Sequence, residues 1–206
     1  MKTYPVNLIV EGRSCLVVGG GNVAIQKVSG LVKANAQITV VAPEVRDEIR
    51  EMPVKVFERP YRRGEVASYR LAITCTDDPA TNKQVFDDAE AAGIWANSAD
   101  DVDNCAWILP SVTRSGGLTV SVSTGGKSPA MAQWLRRRFT DEFDHRYGDL
   151  LDLLATVRTE AKSELGTSEL QGWQTALDDD LFELVANGDS DAAYHRLRKH
   201  LGLSEG

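Results

Sequence analysis

Cysteine is scarce in this chain, and its spacing offers no pairing. Cys15, Cys75 and Cys105 lie far apart, two of them inside apolar runs. That distribution argues against a disulfide framework and against a Cys-x-x-Cys metal knot; it predicts reduced, buried thiols. Histidine is equally sparse. His145, His195 and His200 share no ligand spacing, and the five-residue interval between the last two does not stack on a helix. No resident metal is therefore expected, and all three histidines are read as surface residues. No apolar run approaches the roughly 20 residues that cross a bilayer. The first apolar segment, Val6 to Val10, is broken by Glu11 and Arg13, which speaks against a signal peptide. Positive charge is in deficit as well: 23 Lys and Arg face 30 Asp and Glu, for a net charge of −7. Such a balance excludes general binding to nucleic acid or to an anionic membrane surface. A cytoplasmic protein is expected.

What is present is an alternation. Ser14 to Val18 reads as a strand, and Val23 to about Asn35 as a helix with Val28, Leu31 and Val32 on one face. Strands follow at Ile38 to Val41, Val54 to Phe57 and Leu71 to Cys75, then a helix over Pro79 to Ala91 and a strand at Ile94 to Asn97. Strand-helix alternation of this kind implies a parallel sheet covered by helices on both faces. After Asn97 the pattern changes. Trp107 to Leu109 and Leu118 to Ser123 read as strands around a turn at Arg114 to Gly117, and a helix begins at Ser128-Pro129, with Ser as N-cap and Pro at the first helical position. Only helical patterns remain from Asp141 onward, broken at Leu165-Gly-Thr167 and Asn187-Gly-Asp189. The 206 residues thus divide into a Rossmann-like α/β domain (1–112), a small mixed α/β segment (113–145) and a C-terminal helical tail (146–206).

Three consecutive glycines stand at the first strand-to-helix junction. Gly19-Gly-Gly21-Asn-Val-Ala24 fits G-x-G-x-x-G/A directly after a strand. Gly19 allows the sharp turn, Gly21 removes a side chain so that the backbone can approach a pyrophosphate, and Ala24 lets the helix pack on the sheet. In that setting the motif points to a dinucleotide. The acid that reads the ribose should end the second strand, where Val41-Ala-Pro-Glu44 places Glu44 slightly late. An acid there favours NAD over NADP, with Arg46 working against it; the alternative is that Glu44 belongs to a helix starting at Pro43.

Two further stretches carry charge. "STGGKSP" (Ser123 to Pro129) ends like a P-loop but has Ser121 where the first glycine is required, so an ATPase reading fails. Its glycines, Lys127 and helix start still form an anion site, and Arg136, Arg137 and Arg138 follow on the same helix. Those arginines could equally be a solvated helix end. "NSADDVDNC" (Asn97 to Cys105) holds Asp100, Asp101 and Asp103 just after the last α/β strand, where parallel sheets gather ligands, although Asp-rich loops are often only turn chemistry.

Taken in order, "CLVVGGGNVAIQK", "VVAPE", "ITCTDDPATN", "WANSADDVDNCAWILPS" and "VSVSTGGKSP" resemble the precorrin-2 dehydrogenase family of the siroheme synthase N-terminal type, whose members often also act as sirohydrochlorin ferrochelatases. The resemblance covers nearly the whole chain; 206 residues leave no room for the methyltransferase module fused to some members. It implies NAD over Gly19, Gly21, Asn22 and Val23, the ribose near Pro43 and Glu44, and Thr76 lining the pocket. It implies a homodimer built by the segment after the NAD domain, in keeping with an apolar strand over Leu118 to Val122 that needs a covering surface. It places the catalytic aspartate at Asp100, three residues after Asn97, with Asp101 beside it as the competing assignment. Thr124 stands where some members carry a phosphorylatable serine.

The substrate implied is precorrin-2, a polycarboxylate tetrapyrrole, and the product sirohydrochlorin, with ferrous or cobalt ion as a substrate metal of a chelatase step. An acidic chain needs local cations to hold such a molecule, and Arg114, Lys127, Ser128 at its helix start, Arg136 and Arg137 are the groups available. Removing a hydride and a proton calls for a carboxylate base, for which Asp100 is the candidate. Two other readings compete: a non-catalytic NAD-sensing module, which would leave the acid loop and "STGGKSP" unexplained, and a chelatase without dehydrogenase activity, which would leave the glycine motif idle.

Overall fold

In the computed structural model, which describes residues 2–99 and 101–204, five short apolar runs become β1 (Ser14–Val18), β2 (Gln37–Ala42), β3 (Lys55–Glu58), β4 (Leu71–Thr74) and β5 (Trp95–Ser98). All pair in parallel, in the order β3-β2-β1-β4-β5. Parallel neighbours require crossovers, and here α1 (Asn22–Lys33), α2 (Asp47–Arg50) and α3 (Pro79–Ala92) lie along them. Ala24, Val28 and Leu31 of α1 pack against Cys15, Val17, Val40 and Ile73 on one face of the sheet. Val85 and Ala89 of α3 pack against Leu16, Val18, Ala72 and Ala96 on the other. Each wholly buried aliphatic side chain in these two layers contributes about 1.5–3 kcal/mol of transfer free energy. The consequence for function is geometric. The chain leaves the adjacent strands β1 and β4 toward opposite faces, which opens a crevice at their carboxyl ends.

The chain divides into two compact units, one up to Leu109 and one from Pro110 onward. The second begins with an antiparallel hairpin, β6 (Ser111–Ser115) and β7 (Leu118–Val122), turned at Gly116 and Gly117. Helices α4 (Pro129–Glu142), α5 (His145–Leu165), α6 (Trp173–Ala176), α7 (Asp179–Ala186) and α8 (Ser190–His200) follow. Val157 and Ala161 of α5, Leu181 of α7 and Ala193 and Leu197 of α8 form their core. Buried Arg198 reaches Glu164 at 2.7 Å and also pairs with Glu160, so its charge is compensated inside the helical cluster. Among the described residues no helix is long and apolar enough to cross a membrane.

Three local expectations are corrected. Trp107 to Leu109 is not a strand, because this stretch is tied back to β5: Ala106 N–H donates to Ala96 O at 2.9 Å and Asn97 Nδ2 donates to Trp107 O at 2.9 Å. The strand begins instead at Ser111, where the register Ser111↔Val122 to Ser115↔Leu118 matches five residues against five across the glycine turn. No helix starts at Pro43; α2 begins at Asp47 and Glu44 lies exposed in the bend before it. The apolar residues of β7 already have cover, since Leu118, Val120 and Val122 are half-buried on the face that packs on α4 and α5 of the same unit. What lacks a partner strand, among the described residues, is each outer edge of the two-stranded sheet.

Candidate functional site

Each of the three glycines answers to a different neighbour. Gly19 has φ +128°, a conformation that side chains rarely adopt, and a Cβ there would lie 2.6 Å from the Cys75 carbonyl oxygen. Its N–H donates to Val41 O at 3.0 Å, fixing the turn out of β1. A Cβ on Gly20 would lie 2.1 Å from the Glu44 carbonyl oxygen, while Gly20 O accepts the Arg46 N–H at 3.0 Å. Gly20 therefore locks the loop after β2 against the loop after β1, a role that motif reading did not assign to it. Gly21 is different: a Cβ there would meet nothing within 4 Å.

Open space over Gly21 coincides with an unfilled helix start. Gly21 is the N-cap of α1 and offers no side-chain acceptor, whereas Asp78, Ser128, Asp144 and Asp178 cap α3, α4, α5 and α7 with side-chain oxygens. The first-turn N–H groups, including those of Asn22 and Val23, thus sit at the positive end of a 12-residue helix dipole with no capping side chain in front of them. Bare backbone, a helix N-terminus and a strand crossover make a cradle that fits a pyrophosphate, so the residues present suit a bound dinucleotide.

The loop after β2, where the ribose is expected, is acidic. Pro43 and Glu44 are exposed just beyond β2, and Arg46, the one cation that opposed an NAD reading, is occupied: its Nη2 and Nε donate to Glu48 at 3.0 and 3.3 Å. The Glu48 hydrogen bond raises the Arg46 pKa, and the same contact lowers that of Glu48. A 2′-phosphate would face Glu44, Asp47 and Glu48 with its natural counter-ion already paired. At the far side of the crevice Thr76 is held rigidly, with its Oγ1 2.9 Å from Asn82 Oδ1 and its carbonyl accepting Asn82 Nδ2 at 2.8 Å.

Asp100 lies outside the described residues, but its neighbours have clear roles. Asp101 caps the short 3₁₀ turn Val102–Asn104: Asp103 N–H donates to its Oδ1 at 3.0 Å and Asn104 Nδ2 to its Oδ2 at 2.6 Å. Each carboxylate oxygen accepts one hydrogen bond from the loop itself. Asp103 is exposed and follows in that same turn. Asn97, buried at the end of β5, donates to Trp107 O and, at 3.4 Å, to Cys105 Sγ, closing the base of the loop. Nothing in the residue spacing foretold this closure; only the return of the chain to β5 creates it.

The candidate substrate cations belong to the second unit. Arg114 points from the exposed face of the hairpin, opposite Thr119, and Lys127 is exposed in the turn before α4. Lys127 N–H donates to Thr124 O, and the Thr124 hydroxyl accepts Ser128 N–H at 3.1 Å; Ser128 Oγ is itself spent on Met131 N–H at 3.2 Å. Arg136 and Arg137 lie mid-helix, not at the C-terminal turn of α4, so the helix dipole does not account for them. Arg138 stacks on Trp134, its guanidinium carbon 5.1 Å from the ring centroid. Among the described residues Arg114, Lys127, Arg136 and Arg137 make no ion pair. No cluster of His, Cys, Asp and Glu suited to a metal ion occurs among them either.

Known proteins share these features. Residues 6–111 match the family described as "Putative NAD(P)-binding", and residues 115–142 match the one described as "Sirohaem biosynthesis protein central". A siroheme synthase of Thioalkalivibrio sulfidiphilus is 35% identical over 212 residues, covering 98% of this chain and 42% of that protein. One of Nitrosococcus oceani is 33% identical over 199 residues, covering 94% and 42%. The chain thus spans less than half the length of these curated relatives. A solved structure titled "SirC, precorrin-2 dehydrogenase" is similar along 97% of this chain and 98% of its own, with a TM-score of 0.68 at 25% identity.

Proposed function

The chain belongs to the family described as "Putative NAD(P)-binding", and from that premise and its likeness to siroheme synthases we propose that it oxidises precorrin-2 to sirohydrochlorin with NAD. The observation that carries the reading is the open, uncapped cradle over Gly21 at the start of α1. Gly19, Gly21, Asn22 and Val23 bind the pyrophosphate, Pro43 and Glu44 meet the ribose, and Thr76 borders the crevice. NAD, when bound, supplies the hydride acceptor. The chain supplies the proton acceptor, Asp100. Asp101 is the weaker choice, since each of its oxygens already accepts a hydrogen bond from its own loop. Arg114, Lys127, Arg136 and Arg137 supply unpaired positive charge for the substrate carboxylates, with Ser128 holding the helix start beside Lys127.

The same carboxylate would serve insertion of ferrous or cobalt ion into sirohydrochlorin, which displaces pyrrole protons. A homodimer is supported by the two-stranded β6–β7 sheet, whose unpaired edges suit a second copy of the chain. The expected setting is cytoplasmic. The deciding assay is anaerobic: precorrin-2 with NAD should give sirohydrochlorin absorbance and NADH in equal amounts. A second arm offers sirohydrochlorin with ferrous or cobalt ion. Absence of NADH formation would refute the dehydrogenase reading and leave the NAD-sensing alternative.

A further inference from the structure

We propose that the solvent face of α4 is a platform for the tetrapyrrole, with Trp134 under the ring and Arg137 and Arg138 at its carboxylate rim. The inference rests on the reading of a tetrapyrrole as substrate, and it concerns which side chains hold that ring. The two sides of α4 differ in kind. Ala132 is buried and Leu135, Arg136 and Phe139 are half-buried, on the side that packs on the β6–β7 hairpin. On the opposite side Met131 and Trp134 are 52% and 51% exposed, two large apolar side chains one helical turn apart. Arg137 and Arg138 stand three and four residues beyond Trp134, so they share its face, and both are exposed. Arg136, only two residues on, points elsewhere.

The chemistry of this face selects its occupant. Arg138 lies over the indole, its guanidinium carbon 5.1 Å from the ring centroid. Stacking uses the flat face of a guanidinium and leaves its N–H edge for a carboxylate, so the contact that holds Arg138 also aims it. Half of Trp134 remains open beside that contact. The acids within helical reach, Asp141 and Glu142, are exposed, and neither pairs with Arg137 or Arg138 among the described residues. An open aromatic surface flanked by unpaired cations matches a flat conjugated ring that carries carboxylates round its rim. Other occupants fit less well. A second copy docked here about a two-fold axis would set the cationic stripe against its own image, and a nucleic acid would meet a chain of net charge −7.

Calorimetric titration of sirohydrochlorin onto the whole chain, without NAD, tests the platform. Trp134→Leu should raise the Kd for sirohydrochlorin and the KM for precorrin-2 about 3- to 10-fold. Turnover and the Kd for NAD should stay within about twofold, because a ring held away from the reacting carbon is held equally in ground and transition states. Trp134→Phe keeps an aromatic face and should recover most of the affinity. Arg138→Gln should weaken binding at low salt and matter less at high salt. A parental Kd in Trp134→Leu, or equal losses in the Leu and Phe variants, overturns the proposal. Sedimentation examines the rival occupant: a parental dimer that becomes a monomer in Trp134→Leu makes this face a subunit contact and overturns the proposal as well. If the parent neither binds sirohydrochlorin nor makes NADH from precorrin-2, the substrate reading fails and the platform falls with it. If the parent does both and Trp134→Leu matches it, only the platform is lost.

Discussion

At the scale of single residues, the three glycines separate what the fold needs from what the ligand needs. A side chain at Gly20 collides with the backbone of Glu44, and nothing among the described residues fills the space over Gly21. Gly20→Ala should therefore lower Tm measurably, by the strain of an overpacked contact, about 1–3 kcal/mol. Gly21→Asp should leave Tm near the parent and abolish NAD binding, because a carboxylate would occupy the pyrophosphate position. Thermal melts and calorimetric titration with NAD separate the two effects; retained NAD affinity in a folded Gly21→Asp variant would dismiss the cradle. The nucleotide choice rests on an equally small feature. Glu48→Gln releases Arg46 from its bidentate partner. Both side chains are about half exposed, so the pair is weak and the gain should be modest. NADP affinity should rise a few-fold with NAD affinity unchanged, read by the same titration. No change in NADP affinity would leave discrimination to Glu44 alone.

At the scale of elements, strand-helix alternation was readable wherever burial set the period. β1, α1, β2 and β4 fall within two residues of where apolar spacing placed them, because the strands are buried on both faces of the sheet and α1 packs one apolar stripe on it. Capping chemistry was readable as well: Ser128-Pro129 starts α4 as written in the sequence. What escaped was anything fixed by a distant contact. The true β6 lies four residues beyond the expected strand because the chain first returns to β5 through Asn97 and Ala106. The loop closure by Cys105 likewise joins residues whose spacing has no local signature. Helix caps make a direct pH prediction. Asp78, Asp144 and Asp178 all have lowered pKa values, chiefly through hydrogen bonds to Thr81, to Arg146 and to the Leu181 N–H respectively. A depressed folded-state pKa gives stability that is present above the unfolded value, about 3.9, and lost as pH falls through the folded one. Tm should then be steady toward pH 5 and fall below about pH 4. Asp78→Ala should lower Tm at pH 7 by about 2–4 °C and flatten that acid limb. An acid limb identical in the variant would assign the loss to other carboxylates.

At the scale of the whole molecule, the proposed function sets a chain with net charge −7 against a polyanionic substrate. Screening limits the conflict. At physiological ionic strength a charge is felt over roughly 8 Å, so the sum over the surface matters less than the groups within reach of the substrate. Some lysines and arginines elsewhere in the chain are consumed: Arg50 by Glu58, Arg59 by Glu65, Lys83 by Asp87, Arg198 by Glu160 and Glu164. Arg136 and Arg137 have no such partner among the described residues, and Arg138 beside them is engaged by Trp134. If they hold substrate carboxylates, changing both to glutamine should raise the KM for precorrin-2 several-fold at low salt and leave the Kd for NAD alone. Added salt should raise the parental KM toward that of the variant, since screening and neutralisation remove the same attraction. The effect should also sit in binding more than in turnover, because a carboxylate far from the reacting carbon is held equally in the ground and transition states. A KM that moves with neither the substitution nor salt would return the two arginines to the role of a solvated helix face. The substrate's charge would then have to be met by Lys127, Arg114 and other cations of the chain.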